Sequence, residues 1–284
     1  MSERPTYIVR PDSLQEIKRV ITSTPKEELE KYYFYNEIAK GEHHYFFGEY
    51  KNFDDLVSKL DVGTNKYDNY IFDNLKEPKL EDDENSGFAM SNEGFAYDMG
   101  SVIEGNPECC ITQKALSPRK YIKIVLEHFA VCGTSPNQLA NKAVAIANLI
   151  NTLLSKGYIV DVKLIVYDYQ DDSAAENYND YILDFSMDIP TGTLNLQRLV
   201  YMFSSEFYRG ISWLYNAIIV NRPKTNNGKS AKDRDVISKE YAEKNICYIR
   251  GIYNEEYYST IEKANDRILW HWNEFLRYRD KENK

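Results

Sequence analysis

An α/β fold with a strand–helix–strand crossover at its centre is what the sequence predicts, and three features of residues 121–168 predict it. Tyr121-Ile122-Lys123-Ile124-Val125-Leu126 is an apolar, β-branched run of strand length that continues towards Val131. Ser135-Pro136-Asn137-Gln138 carries a full helix-start signature: a capping Ser, Pro at the first helical position, and Gln three residues after the cap. Val160, Val162, Leu164 and Val166 alternate along a second strand. The predicted bounds are 121–131 and 158–168 for the strands and 136–156 for the helix, with further helices at both ends of the chain. The helix places Leu139, Ala143, Ile146, Ile150 and Leu153 on one stripe, with Gln138, Lys142, Ala145, Asn148 and Thr152 opposite. Lys156-Gly157 supplies a cation and a glycine at its end. Short joints on both sides make the two strands parallel neighbours joined by a right-handed crossover.

The other elements follow in chain order. Thr24-Pro25-Lys26-Glu27 reads as a capping box that opens a helix over 25–40, stopped by Gly41. Asn52-Phe53-Asp54-Asp55 opens a second helix that ends before Gly63. Residues 64–98 are polar, rich in turn formers, and contain the acidic run Glu81-Asp82-Asp83-Glu84. That run lacks the alternating ligands and central glycine of a calcium loop, so it reads as solvated surface. Tyr181, Leu183, Phe185 and Met187 mark a third strand over 181–189. A helix through Leu199 to Phe203 follows, then one carrying Phe207, Ile211, Leu214, Tyr215 and Ile218. The last helix starts near Ser259-Thr260-Ile261-Glu262 and buries Ile261, Ala264, Ile268, Trp272 and Phe275. The expected organisation is an N-terminal helical segment (1–64), an acidic loop (65–98), an α/β core (99–220), a mobile basic arm (221–235) and a C-terminal helical segment (236–284).

Composition narrows the function. The chain has 284 residues, 43% of them apolar, and a net charge of -9. An acidic protein lacks the broad cationic surface that phosphate backbones require, so nucleic acid is not the expected partner. Cys109, Cys110, Cys132 and Cys247 show no zinc spacing and no CxxC pair. They fit reduced thiols in a cytoplasm. Met1-Ser2-Glu3-Arg4-Pro5 has no apolar targeting region, and no apolar run is long enough to span a bilayer. The 24 tyrosines supply large rings with polar tips, a side chain suited to interfaces.

Four stretches resemble an uncharacterised family of bacteriophage proteins, a domain of unknown function. They are Phe47-Gly48-Glu49-Tyr50 through Gly63, Met99-Gly100-Ser101-Val102-Ile103-Glu104-Gly105-Asn106-Pro107-Glu108-Cys109, the 121–168 unit, and Asn195-Leu196-Gln197-Arg198-Leu199 to Arg209. The family's opening Trp is Phe47 here, and its Met after Gly-x-Pro is Cys110 or a neighbour. The resemblance implies phage origin and expression in a bacterial cytoplasm. It carries no activity.

Candidate chemistry is sparse. The joint Val131-Cys132-Gly133-Thr134-Ser135 follows a strand and precedes a helix, where open α/β sheets bind ligands and helix N–H groups favour anions. A von Willebrand A-like domain keeps a metal site there, reading Asp-x-Ser-x-Ser. Val131 stands in place of the Asp, so in such a fold the site is degenerate. Ser135 also has the plain reading of a helix cap. Cys132 next to a helix start has nucleophile character, but His128 four residues back lies about 13 Å away at strand rise, too far for proton transfer. Gly228-Lys229-Ser230 resembles the end of a phosphate loop, with Pro223 where the first glycine belongs. Arg222, Lys224, Lys229 and Lys232 make the 221–235 arm a cationic contact surface. Asp168, Asp171 and Asp184 would hold a divalent metal if they converged. In Trp270-His271-Trp272, Trp272 suits the core and Trp270 suits docking.

The expectation is a non-enzymatic phage protein acting by protein–protein contact, with no cofactor. Its partner would be a second copy, a virion component or a host-defence protein. Two alternatives stay open: a metal-dependent enzyme on phosphate esters using Asp168, Asp171 and Asp184, and a nucleic-acid binder using the arm.

Overall fold

A computed structural model describes residues 6–41, 47–48, 50–63, 88–91, 96–97, 110–113, 121–131, 133–171, 181–189, 196–221, 226–230, 241 and 244–282. The elements in order are β1 (Thr6–Val9), α1 (Leu14–Ser23), α2 (Lys26–Leu29), α3 (Tyr33–Lys40), α4 (Phe53–Val62), β2 (Phe88–Ser91), β3 (Ala96–Tyr97), β4 (Cys110–Gln113), β5 (Tyr121–Glu127) and α5 (Pro136–Ser155). They continue with β6 (Ile159–Asp171), β7 (Tyr181–Ile189), α6 (Leu196–Phe203), a π-helical turn (Glu206–Ile211), α7 (Ser212–Val220), β8 (Asn226–Ser230), β9 (Ile246–Ile249), a 3-10 turn (Glu255–Tyr258) and α8 (Ile261–Glu282).

The fold is α/β. The central sheet runs β1-β7-β6-β5-β9, with β8 also paired to β6, and a small sheet β2-β4-β3 stands apart. β5 and β6 are parallel, Tyr121 facing Ile159 through Glu127 facing Ile165, and α5 crosses between them as the sequence requires. β9 lies parallel on the other side of β5, and β7 runs antiparallel to β6. Ser135 caps α5 through a reciprocal box: its Oγ accepts from the Gln138 N–H, and its own N–H donates to Gln138 Oε1 at 2.7 Å.

The core fills the α5 face of the sheet, where Ile122, Ile124, Leu126, Val160, Val162, Leu164 and Phe185 meet Leu139, Ala143, Ile146, Ile150 and Leu153. Each fully buried aliphatic side chain contributes about 1.5–3 kcal/mol. The supposed polar face of α5 is buried too. Lys142, Asn148 and Thr152 are all buried: Asn148 meets α8, its Nδ2 donating to Asn265 Oδ1 at 3.1 Å, Lys142 reaches the carbonyls at the ends of β5 and β9, and the Thr152 hydroxyl donates to the Asn148 carbonyl. A helix between a sheet and a second helix has no solvent face, so its polar residues are there to bond.

Several expected elements differ. β1 and β9 belong to the central sheet, so neither end segment is purely helical. The helix expected over 25–40 is two, α2 and α3, and no side chain caps α2; Thr24 instead donates to the Val20 carbonyl and closes α1. The side-chain cap nearby is Ser13, whose Oγ accepts from the Glu16 N–H and starts α1, while the Glu16 carboxylate accepts from the Asp12 N–H. α8 is capped by Thr260, whose Oγ1 accepts from the Lys263 N–H, one residue later than the expected box. Part of the expected mobile arm is ordered as β8, paired to Asp168–Asp171 of β6.

Candidate functional site

The parallel strands β5 and β9 end side by side, and their polar continuation forms the site. Pairing persists beyond the strands: the Ile252 N–H donates to the Phe129 carbonyl at 2.7 Å, and the Val131 N–H to Ile252 at 3.0 Å. Both chains then turn into helices, β5 into α5 and β9 through the 3-10 turn into α8. The helix starts flank a half-open cleft of about 410 Å³ lined by Asn137, Asn141, Ser259, Thr260 and Glu262.

Beneath this edge lies a buried ionic network. Lys142 is 1% exposed, and its Nζ donates to the carbonyls of Glu127 at 3.1 Å and Arg250 at 2.9 Å. Burial lowers the amine to about 7, against the opposing pull of the Glu127 carboxylate. The Glu127 carboxylate accepts from the Gly251 N–H at 2.7 Å and from the Tyr253 hydroxyl. One cation and one anion thus tie the ends of β5 and β9 together. His128, the next residue, is enclosed by Phe203, Phe207 and Tyr208 at ring distances of 5.7, 5.7 and 4.4 Å. Neither of its ring nitrogens has a hydrogen-bond partner. Burial first, and Lys142 second, hold it neutral, with a pKa near about 3; the Met202 carbonyl, short of bonding geometry, pulls the other way.

Arg209 supports the predicted joint. It sits on the π-helical turn, is 1% exposed, and donates to the carbonyls of Val131 at 3.0 Å and Thr134 at 3.4 Å. The π turn is the local irregularity that aims it there. Gly133 lies against the Glu255 carboxylate, and Gln138 Nε2 donates to the Glu255 carbonyl at 3.0 Å. The 3-10 turn therefore covers the joint. Thr134 is buried, with no partner for its hydroxyl. Cys132 lies outside the described residues, as do Arg222, Lys224 and Lys232.

Lys229 is on β8 opposite Tyr169. Asp168 and Asp171 are on β6, and Asp184 on β7. Asp184 pairs in register with Tyr167, while Asp168 pairs with Leu183, so Asp168 and Asp184 hold positions of opposite parity. The Asp184 carboxylate is bridged by Arg10 at 2.7 Å. Among the described residues no group of three His, Cys, Asp or Glu is arranged to hold a metal. No helix among them is long and apolar enough to cross a membrane.

The outer surface of this edge carries two of the exposed aromatic residues, the others including Tyr33 and Tyr121 elsewhere in the fold. Trp270 is 37% and Tyr257 45% exposed. The Arg267 guanidinium lies between them, 4.1 Å from the Trp270 ring centroid and 4.6 Å from that of Tyr257. Arg250 approaches the same indole at 5.8 Å. Arg267 and Trp270 are three residues apart on α8, hence neighbours on one face. Sequence reasoning named Trp270 and passed over Arg267, Arg250 and Tyr257. The Arg-x-x-Trp spacing was the available signal for the first; nothing local marks the other two.

The chain belongs to the family described as Domain of unknown function (DUF7192), which matches residues 4–279. No curated protein and no solved structure matches it.

Proposed function

We propose that this is a non-enzymatic protein, of phage origin and acting in the bacterial cytoplasm, that docks a partner protein through the face formed by Tyr257, Arg267 and Trp270. The stacked, exposed Tyr257–Arg267–Trp270 sandwich carries the reading. Trp, Tyr and Arg are the residues that dominate interface energetics, and stacking holds these three in place before binding. The ionic network beneath makes the face a rigid platform. A partner with acidic character complements its arginines. That partner is a second copy, a virion component or a host-defence protein.

The same geometry supports a von Willebrand A-like core whose metal site is degenerate. Val131 replaces the expected acid, and the buried Arg209 guanidinium sits directly behind the joint, where its charge opposes a divalent cation. Neither alternative role, the aspartate metal enzyme or the nucleic-acid arm, gains a comparable constellation among the described residues.

The test compares wild type with the double variant Arg267→Ala/Trp270→Ala. Melting temperatures should agree within a few degrees, since both side chains are partly exposed. Wild type should self-associate by light scattering or retain a partner in pull-downs from infected cells, and the variant should lose that contact. A contact that survives the double substitution, or a wild-type monomer that binds nothing, overturns the reading.

A further inference from the structure

Two histidines are buried around the joined ends of β5 and β9. His128 follows Glu127 at the end of β5 and is 2% exposed, and neither of its ring nitrogens is hydrogen-bonded. His271, on α8, is 4% exposed, and its Nε2 has no partner. A buried imidazole without partners is tolerated only while neutral, because a buried charge needs a counter-charge or a bond.

Their neighbours decide how each ring answers to acid. The Phe203 ring lies against both His128, at 5.7 Å, and the Lys142 amine, at 5.5 Å; Tyr208 and Phe207 close the rest of the nest. The Glu127 carboxylate, one residue away, is held by the Gly251 N–H and the Tyr253 hydroxyl. His271 shares a recess of about 20 Å³ with Tyr248, Arg250, Glu274 and Tyr278, and Glu274 is bridged to Arg277 at 3.4 Å. Burial first, then Arg267, Arg250 and Lys142, hold His271 well below the ordinary imidazole range. Both rings reject a proton in place, and both accept one near the ordinary 6.5 once the edge opens. We propose that His128 and His271 form an acid-operated latch on this edge: proton uptake by both imidazoles opens the β5–β9 junction and loosens the Tyr257–Arg267–Trp270 face that it supports. The latch rests on the docking reading for its purpose, and its release is read on the edge itself. Each imidazole contributes fully to closure above pH 6.5, and that contribution is lost as pH falls below it.

The test is amide hydrogen exchange on the full chain at about pH 6.5 and 5.5, corrected for intrinsic rates. The N–H groups of Val131, Gly251 and Ile252, which bridge the two strands, report the edge, and those of Val162 to Val166 in β6 report global unfolding. The edge amides should exchange ahead of the β6 amides. Their opening constant should rise about 30-fold between the two pH values, the product of about 5.5-fold for each imidazole. His128→Phe and His271→Phe should each cut the rise to about 5.5-fold, and the double variant should abolish it. His271→Gln, smaller and uncharged, should match His271→Phe and guards against a ring that does not fit. Glu127, Lys142 and Glu274 are common to all these proteins, so the differences between them isolate the imidazoles. Edge amides that exchange only in step with β6, or a rise that neither substitution reduces, overturn the latch. If it fails in this way while Arg267→Ala/Trp270→Ala still abolishes partner capture, the docking face stands without it.

Discussion

Replacing His128 by Phe should remove an acid sensitivity built into the strand edge. The imidazole sits in an aromatic nest with both nitrogens unpartnered, so the benzyl ring keeps the packing and deletes the titration. The folded protein holds His128 near about 3, whereas the unfolded chain titrates at its ordinary 6.5. A base with a depressed folded pKa binds its proton more tightly when unfolded. Its contribution to stability is therefore intact above pH 6.5 and is lost as pH falls from 6.5 towards 3. At pH 4 about 2.5 units of that difference have been expressed, or about 3 kcal/mol at about 1.36 kcal/mol per unit. Urea unfolding of both proteins between pH 7 and pH 4 isolates it, because the surface carboxylates titrate alike in each. At pH 7 the two should lie close, since two orphaned nitrogens are removed while a slightly larger ring is fitted. By pH 4 the variant should gain about 3 kcal/mol on wild type. Parallel stability profiles would falsify the assignment of His128 as a buried neutral base.

Further outcomes follow from the same architecture. Lys142, held near about 7, makes wild-type stability rise between pH 7 and pH 9 by about 2 kcal/mol, and Lys142→Met should abolish that rise in denaturant titrations. Gly48 adopts a left-handed φ of 92°, and a Cβ there would collide with the Glu206 carboxyl, so Gly48→Ala should cost at least about 2 kcal/mol in thermal or urea unfolding. Gly63→Ala should behave alike, since its Cβ would stand 2.6 Å from the Gln197 carbonyl carbon. Arg10→Ala breaks a surface bridge to Asp184 and should change stability by less than about 1 kcal/mol.

Local signals carried much of the architecture. The Ser135 box, the alternation of Val160 to Val166 and the stripe from Ile261 to Phe275 placed α5, β6 and α8 to within a few residues, because capping and periodicity act over a single turn or strand. β1 and β9 were missed for the opposite reason. Four-residue strands have too few positions for alternation to register, and only pairing to β7 and β5 makes them strands. Lys142 was assigned to a solvent face because the sequence does not show that the carbonyls of Glu127 and Arg250, at the ends of two different strands, converge on its amine. Within the site, Trp270 was legible as a surplus aromatic beside the core residue Trp272. Its partners Tyr257 and Arg250 come from other elements, and His271 owes its unmet nitrogen to tertiary burial.

Docking through the Tyr257–Arg267–Trp270 face is tested most directly by site-specific photo-crosslinking in cells that express the protein. A benzophenone amino acid at position 257 or 270 should each yield the same discrete crosslinked protein, lost on Arg267→Ala. The same reagent at Thr22, exposed on α1, should yield none. Crosslinks of equal strength from position 22, or none from 257 and 270, would contradict the account.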